Sequence, residues 1–141
     1  MLTKKVLFLC TGNSCRSQMA EAVLNSIGAG RFEASSAGSK PAGCVHPLAL
    51  RLLRELGYSV DGLRSKSMDE FRERRFDAVI TVCDRAKGAC PVWPGAEMID
   101  WSFEDPAEAA GTDEEKLVVF RRVFKGILQR LRLYVALPAK E

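Results

Sequence analysis

The residues that could do chemistry are concentrated in one short segment near the start of the chain, Cys10-Thr-Gly-Asn-Ser-Cys-Arg-Ser17. An apolar run precedes this segment and a helical pattern follows it. A short loop that enters a helix N-terminus turns its backbone N–H groups inward and forms a cradle for an anion. Arg16 can bind two oxygens of a tetrahedral oxyanion through its planar guanidinium. The predicted oxyanion ligands are Thr11, Gly12, Asn13, Ser14, Cys15 and Arg16.

Cys10 is the predicted nucleophile of this loop. The positive field at a helix N-terminus lowers the pKa of a thiol, so the reactive thiolate is populated at neutral pH. The Ser17 hydroxyl is expected to donate a hydrogen bond to that thiolate. The alternative is a buried structural cysteine beside an incidental arginine, because this spacing alone occurs by chance. The strand-to-helix context and Gly12, which permits close backbone approach, favour the nucleophile.

An acid is also needed to protonate the oxygen that departs when an oxyanion is attacked. Asp105, followed by Pro106, stands in an aromatic-flanked loop after the last predicted strand. An Asp-Pro pair also initiates turns, so the pair by itself leaves both interpretations open. A nucleotide-binding loop of the Walker type is excluded, because the chain has no G-x-x-x-x-G-K motif.

Strands and helices alternate along the sequence, which predicts one α/β domain over residues 1–141. Such alternation implies parallel strands joined by right-handed crossovers, with ligands bound beyond the carboxyl ends of the strands. This arrangement brings the Cys10 loop and Asp105 to the same edge of the sheet. The predicted strands are residues 4–10, 32–36, 76–82 and 98–99.

Helix signals separate these strands. Gly28 is expected to end a first helix that follows the Cys10 loop. Pro47 opens a second helix, which carries Leu50, Leu53 and Leu56 on its apolar face and is closed by Gly57. Capping-box spacing predicts a short helix after Ser67, with Glu70, and a long helix after Thr112, with Glu115.

Composition excludes several classes of protein. The chain is 47% apolar and 28% charged, with no apolar run long enough to span a bilayer. Its net charge of +3 is too small to indicate a nucleic-acid partner by itself. The apolar stretch at the N-terminus is too short for a signal peptide. We therefore expect a cytoplasmic monomer with neither a nucleic-acid nor a membrane partner.

The five cysteines are Cys10, Cys15, Cys44, Cys83 and Cys90. An odd count in a chain that can bury a core without covalent links disfavours a structural disulfide framework. A zinc site is also disfavoured, because there is no C-x-x-C pair and one histidine only. We expect no metal and no cofactor. The thiols are then either buried and inert or reactive.

Several segments together resemble the low-molecular-weight protein tyrosine phosphatase fold: the loop from Cys10 to Glu21, the Ser36-Ala-Gly38 turn and Asp105-Pro106. More narrowly, Thr81-Val-Cys-Asp84 followed by Cys90-Pro91 is similar to the thioredoxin-coupled arsenate reductases built on that fold. The resemblance covers essentially the whole chain. It implies a four-stranded parallel sheet in the order 2-1-3-4 with helices on both faces.

The resemblance also implies a mechanism. Cys10 attacks arsenate held by Arg16 and the loop amides, while Asp105 protonates the leaving oxygen. Cys83 then attacks the sulfur of Cys10, which releases arsenite and leaves a Cys10–Cys83 disulfide. Cys90 attacks Cys83 in turn, and thioredoxin reduces the resulting Cys83–Cys90 disulfide.

Two other functions remain open. A tyrosine phosphatase would share Cys10, Arg16 and Asp105 but has no need of Cys83 and Cys90, whereas arsenate reduction needs the two electrons of a dithiol. Cysteines at these two positions could also be buried core residues. A non-catalytic oxyanion sensor is less favoured, because it needs neither a nucleophile nor an acid.

One departure from the family concerns potassium. The resemblance implies that some members bind this ion near residues matching Asn13, Glu21 and Ser36, with an acid near position 66. Here Lys66 stands at that place, and an ammonium cannot coordinate a cation. We therefore expect no potassium site and expect Lys66 to supply the charge itself.

The remaining cysteines and aromatic residues receive no catalytic role. Cys15 is expected to be structural, and Cys44 to be an exposed thiol. His46 is expected at a helix start or on the surface, while Trp93 and Trp101 are expected to pack at the edges of the core.

The segment between Cys83 and Cys90 is expected to change conformation. A helix over these seven steps would hold the two Cα atoms about 10.5 Å apart, whereas a disulfide allows about 7 Å at most. Oxidation is therefore predicted to unwind the segment, with Gly88 absorbing part of the change.

Overall fold

The computed structural model describes residues 3–82 and 93–137. Cys83, Cys90 and Gly88, with the predicted redox-dependent segment, lie outside these ranges. Within them, four parallel strands form one sheet in the order β2-β1-β3-β4, which confirms the predicted topology. The strands are β1 (Lys4–Cys10), β2 (Phe32–Gly38), β3 (Ala78–Thr81) and β4 (Glu97–Asp100).

Three α-helices lie within the described ranges: α1 (Arg16–Ile27), α2 (Pro47–Glu55) and α3 (Asp113–Ala136). The predicted start and stop signals hold for each. Gly28 ends α1, donating its N–H to Leu24 O, and His46 caps α2 by accepting from Leu48 N. Thr112 and Glu115 form a complete capping box at the start of α3. None of the described helices is both long and apolar enough to cross a bilayer.

The predicted capping box at Ser67 forms only in part. The Ser67 hydroxyl accepts from Asp69 N, as a cap does, but the Glu70 carboxylate binds the Arg64 guanidinium instead of the Ser67 N–H. The element is a single 3₁₀ turn, Met68–Phe71, rather than an α-helix. Only the Ser67 half of the predicted capping box is therefore present.

The apolar face of α2 also differs from the prediction. Leu53 is buried as expected, but Leu56 caps the end of the helix and is 47% exposed, and Leu50 is only partly buried. Leu48 and Leu52 are buried in their place, since residues four apart share a face of a helix. The nine-residue helix ends before Leu56 can turn toward the core.

Both faces of β1 are buried, as its continuous apolar sequence predicted. Val6 and Phe8 face one core cluster, which α1, α2 and α3 cover, whereas Leu7 and Leu9 face a second. The second cluster contains Phe71 from the 3₁₀ turn, together with Phe76 and Trp93. This alternation is the two-residue period of a strand. Trp101 packs in the first cluster, so both tryptophans occupy the core edges predicted for them.

Candidate active site

The loop between β1 and α1 is held by its carbonyl groups. Every backbone carbonyl from Cys10 to Cys15 accepts a hydrogen bond. Four of the donors are backbone amides of the segment after β2, and the other two come from α1. For the carbonyls taken in order from Cys10 to Cys15, the donors are Ser39 N, Lys40 N, Ala42 N, Gln18 Nε2, His46 N and Met19 N, at 2.8–3.3 Å.

This pairing determines the direction of the amides. In a planar trans peptide the N–H points opposite to the carbonyl. The N–H groups of residues 11–16 therefore point away from the groups that bind the carbonyls. These are the amides predicted from sequence to bind an oxyanion.

A small pocket lies at this loop, beside the segment that follows β4. Its volume is about 50 Å³, and one water needs roughly 10–15 Å³ by the same measure. It can therefore hold a group of a few water-sized atoms, such as a tetrahedral oxyanion. The pocket is lined by Cys10, Gly12, Ser14, Cys15, Arg16, Asp105 and Ala107.

Arg16 is buried at the side of the pocket, with 8% of its surface exposed. Its Nη1 donates to Phe103 O at 2.9 Å, and its Nη2 lies 3.4 Å from Asp105 Oδ2. Its Nε is buried and has no hydrogen-bond partner within the described part of the chain. The buried guanidinium thus keeps one hydrogen-bond donor that no described residue occupies, which is uncommon for a buried polar group.

Asp105 forms the turn that its sequence allows, and its carboxylate also lies at the pocket. Its Oδ1 accepts from Ala107 N at 3.0 Å and so caps the short 3₁₀ turn Pro106–Glu108, while its Oδ2 faces Arg16. Turn formation therefore holds the carboxylate beside the pocket. The structure brings Cys10, Arg16 and Asp105 together, as the parallel topology predicted.

The N-terminus of α1 has no capping side chain. Cys15 occupies the N-cap position but makes no side-chain capping bond, and the first turn contains no acidic residue. The first N–H groups of a helix need partners, and the helix dipole favours a negative charge there. A bound oxyanion would supply that charge.

The two cysteines of the loop differ in environment. Burial raises the pKa of the Cys15 thiol to about 12, although the neighbouring Ser14 hydroxyl opposes this shift. Cys15 is therefore a neutral thiol at physiological pH, in line with the structural role expected for it. Cys44 is exposed, as expected.

Comparison with known proteins identifies the family. Residues 5–140 match the family described as low molecular weight phosphotyrosine protein phosphatase. The chain belongs to this family. An arsenate reductase of Halalkalibacterium halodurans is 42% identical over 135 residues, which are 94% of this chain and 96% of that protein. A glutaredoxin arsenate reductase of Synechocystis is 36% identical over 134 residues, 94% of this chain and 97% of that protein.

Solved structures agree with this assignment. An arsenate reductase in the phosphate-binding state is 35% identical, with a TM-score of 0.81, and the match covers 95% of this chain and 98% of that one. A thioredoxin-dependent arsenate reductase of Corynebacterium glutamicum is 31% identical, with a TM-score of 0.67. That match covers 94% of this chain and 63% of the larger protein.

Asn13 makes the hydrogen bonds that hold the centre of the loop in this phosphatase-family fold. It is fully buried and has a φ of 48°, in the left-handed region that favours glycine and that asparagine adopts more readily than most other residues. Its Nδ2 donates to the hydroxyls of Ser17 and Ser36 at 2.8 and 2.9 Å, and its Oδ1 accepts from Lys66 N at 2.9 Å. These three side-chain hydrogen bonds therefore hold Asn13 in its left-handed conformation.

The Asn13 contacts also orient Ser17. Because the Ser17 oxygen accepts from Asn13, its own O–H is directed elsewhere. Ser17 is completely buried at the start of α1. The hydrogen bond from this hydroxyl to the Cys10 thiolate stays a prediction.

Gly38 is a site residue whose role sequence reasoning missed. A Cβ atom at this position would lie 2.5 Å from Thr11 O and 3.1 Å from the Asn13 backbone nitrogen. The last residue of β2 must therefore be glycine for the loop to pack against it. A glycine that ends a buried strand was the available signal. At Gly12, in contrast, a Cβ would meet no protein atom closer than 3.8 Å.

The two glycines give a matched prediction. Gly38→Ala is expected to lower the free energy of unfolding by about 1–3 kcal/mol, the usual range for overpacking, and to weaken binding of inorganic phosphate. Gly12→Ala is expected to keep the wild-type stability while still weakening phosphate binding, because only the anion approaches that backbone closely. Denaturant unfolding and calorimetric titration with phosphate measure both effects. Wild-type stability of Gly38→Ala would contradict the packing argument.

Proposed function

We propose that this chain is an arsenate reductase that works through a thiol cascade. The observation that carries the proposal is the meeting of Cys10, Arg16 and Asp105 at one small pocket. The curated relatives named arsenate reductase, which match nearly their whole length, support the choice of substrate. Cys83 and Cys90 are the further thiols that a reductase needs.

The first step is nucleophilic. The Cys10 thiolate attacks the arsenic of arsenate, which Arg16 and the loop amides hold. An S–As bond forms while one As–O bond breaks, and Asp105 gives its proton to the departing oxygen, which leaves as water. Arsenic stays in the +5 state in this step.

Arsenic is reduced in the second step. The thiolate of Cys83 attacks Sγ of Cys10, and the electron pair of the S–As bond stays with arsenic, which leaves as arsenite. Two thiols are thereby oxidised to a Cys10–Cys83 disulfide while arsenic gains two electrons. Cys90 then attacks Cys83, and this exchange restores the Cys10 thiol and leaves a Cys83–Cys90 disulfide.

Thioredoxin is the proposed external reductant. A disulfide between two cysteines of the chain is a substrate for exchange with a dithiol protein. The thioredoxin-dependent relative from Corynebacterium supports this choice, whereas the name of the Synechocystis relative points to glutaredoxin. Parallel assays with each reductant separate the two.

The second candidate is a phosphotyrosine phosphatase. It is favoured by the family to which the chain belongs and by the same Cys10, Arg16 and Asp105 arrangement. In that reaction, water would hydrolyse a phospho-thiol adduct on Cys10, and Cys83 and Cys90 would take no part.

A direct assay separates the candidates. Purified protein with arsenate, thioredoxin, its reductase and NADPH is expected to oxidise NADPH, and Cys10→Ser is expected to abolish this turnover because a hydroxyl is not ionised in the loop as a thiol is. A phenyl phosphate ester is assayed in parallel. Ester hydrolysis without arsenate-dependent NADPH oxidation would favour the phosphatase, and turnover by Cys10→Ser would overturn the nucleophile.

Asp105 is tested by a pair of variants. Asp105→Asn is expected to slow formation of the arsenic adduct by about 10²- to 10⁴-fold, the usual contribution of a general acid. It keeps the turn cap, because asparagine also caps a turn, but it removes the carboxylate that pairs with Arg16. Asp105→Ala removes the turn cap as well and is expected to lower stability further than Asp105→Asn does. Rapid-quench single-turnover measurements and thermal unfolding report the two effects. An unchanged rate of adduct formation in Asp105→Asn would mean that Asp105 forms the turn but is not the general acid.

The order of disulfides is tested by trapping. After one equivalent of arsenate, Cys90→Ala is expected to release arsenite once and accumulate a Cys10–Cys83 disulfide, whereas Cys83→Ala is expected to stall before release. Mass spectrometry of peptides from alkylated protein identifies each bond, with Cys44→Ala as the control for an exposed thiol. A Cys83–Cys90 disulfide formed first in the wild-type chain would refute the proposed order.

A further inference from the structure

A buried ion pair lies behind the oxyanion loop. The Lys66 ammonium is 3.6 Å from Glu21 Oε1, and the two side chains are only 7% and 12% exposed. Lys66 Nζ also donates to Arg64 O at 3.0 Å. Glu21 lies on α1, so the pair links the segment before the Met68–Phe71 turn to the helix that begins at the pocket.

Hydrogen bonds connect this pair to the loop in a closed ring. The Ser36 hydroxyl donates to Glu21 Oε1 at 2.6 Å and accepts from Asn13 Nδ2. Asn13 Oδ1 accepts from Lys66 N, which returns the ring to the residue where it began. Lys66 is thus linked to Asn13 in two ways. Its backbone N–H binds Asn13 directly, and its ammonium is connected to Asn13 through Glu21 and Ser36.

The pair is held together at an electrostatic cost. Burial lowers the pKa of Lys66 and raises the pKa of Glu21, and the attraction between the two opposes both shifts. Arg64 and Glu70 are the other charged groups that act on Lys66, with opposite effects on its pKa. Loss of one partner leaves a buried, uncompensated charge, which is far more damaging than loss of a surface pair.

These residues do not fit the potassium ion that the family resemblance implies. Glu21 Oε1 is engaged by the Ser36 hydroxyl and the Lys66 ammonium, and Asn13 Oδ1 accepts from an amide. A metal ion at this place would face an ammonium group, and its carboxylate ligand would already be neutralised. The ammonium provides the positive charge that the Glu21 carboxylate requires.

We propose that Lys66 is a positioning residue whose ammonium replaces a monovalent metal ion: through Glu21 and Ser36 it holds Asn13 and thus the oxyanion loop. Anion binding by this chain is then independent of potassium. The inference rests on the oxyanion-binding role proposed for the loop. Its test does not use arsenate turnover.

The first measurement needs no variant. Inorganic phosphate is titrated calorimetrically into the wild-type chain in potassium, sodium or choline chloride at equal ionic strength. The same dissociation constant is expected in all three salts. Tighter phosphate binding in potassium chloride overturns the role of Lys66 and leaves the proposed function standing. Absence of phosphate binding in every salt overturns the proposed oxyanion site, and the inference with it.

The second measurement uses variants. Lys66→Gln is expected to weaken phosphate binding by about tenfold, a loss within the range of coupling in one hydrogen-bond network, and Lys66→Arg is expected to restore it. Lys125→Gln, which removes the same charge from an exposed position on α3, is the matched control and is expected to bind as the wild type does.

A third readout distinguishes positioning from a general loss of stability. The pH dependence of Cys10 alkylation by iodoacetamide is expected to shift to higher pH in Lys66→Gln and to stay unchanged in Lys66→Arg and Lys125→Gln. Wild-type phosphate binding and a wild-type alkylation profile in folded Lys66→Gln would overturn the proposal. If Lys66→Gln does not fold, the comparison of phosphate binding in the three salts is made with the wild type and with Lys66→Arg. Tighter phosphate binding in potassium chloride by either protein would contradict the proposal that Lys66 supplies the cation.

Discussion

A backbone loop can present its N–H groups to an anion only if its carbonyl groups are satisfied elsewhere, and the rest of this fold serves that requirement. All carbonyls from Cys10 to Cys15 accept hydrogen bonds. Four donors come from residues 39–46, so the irregular segment after β2 is a support for the loop. The Ser65 hydroxyl adds a second bond to Gly12 O. Buried backbone polar groups left without partners would be too costly to hold the loop in this shape.

The support has a second part beneath the loop. Asn13 adopts a left-handed conformation, and three hydrogen bonds from its side chain hold it there. Gly38 allows the end of β2 to approach so closely that any side chain would collide with Thr11 O. Strain at the site is therefore offset by contacts from β2 and from residue 66, which belong to the scaffold and do not line the pocket.

Charge is distributed on opposite sides of the loop. Arg16 and Asp105 lie at the pocket, where they form an ion pair. Lys66 and Glu21 lie behind the loop, where each neutralises the other. Cys15, which also lines the pocket, stays neutral because burial raises its pKa. The unpaired positive potential of the site is therefore on the pocket side of the loop, at Arg16 and the N-terminus of α1.

Local sequence signals determined much of this protein. The apolar period of β1, Gly28 after α1, Pro47 at the start of α2 and the capping box at Thr112 each act within a few residues, so the order of elements could be predicted. The parallel topology followed from that order, and with it the meeting of Cys10 and Asp105.

Only the tertiary structure decided how the site is supported. Three features depend on neighbours brought together by folding: the pairing of Glu70 with Arg64, the burial of Leu48 rather than Leu56, and the collision that excludes a side chain at Gly38. The same is true of the Lys66–Glu21 ring, because sequence could place a lysine where a potassium ligand was expected but could not show what its ammonium contacts. Local propensity acts between adjacent residues, whereas the energy of a buried hydrogen bond or charge depends on groups far apart in the chain.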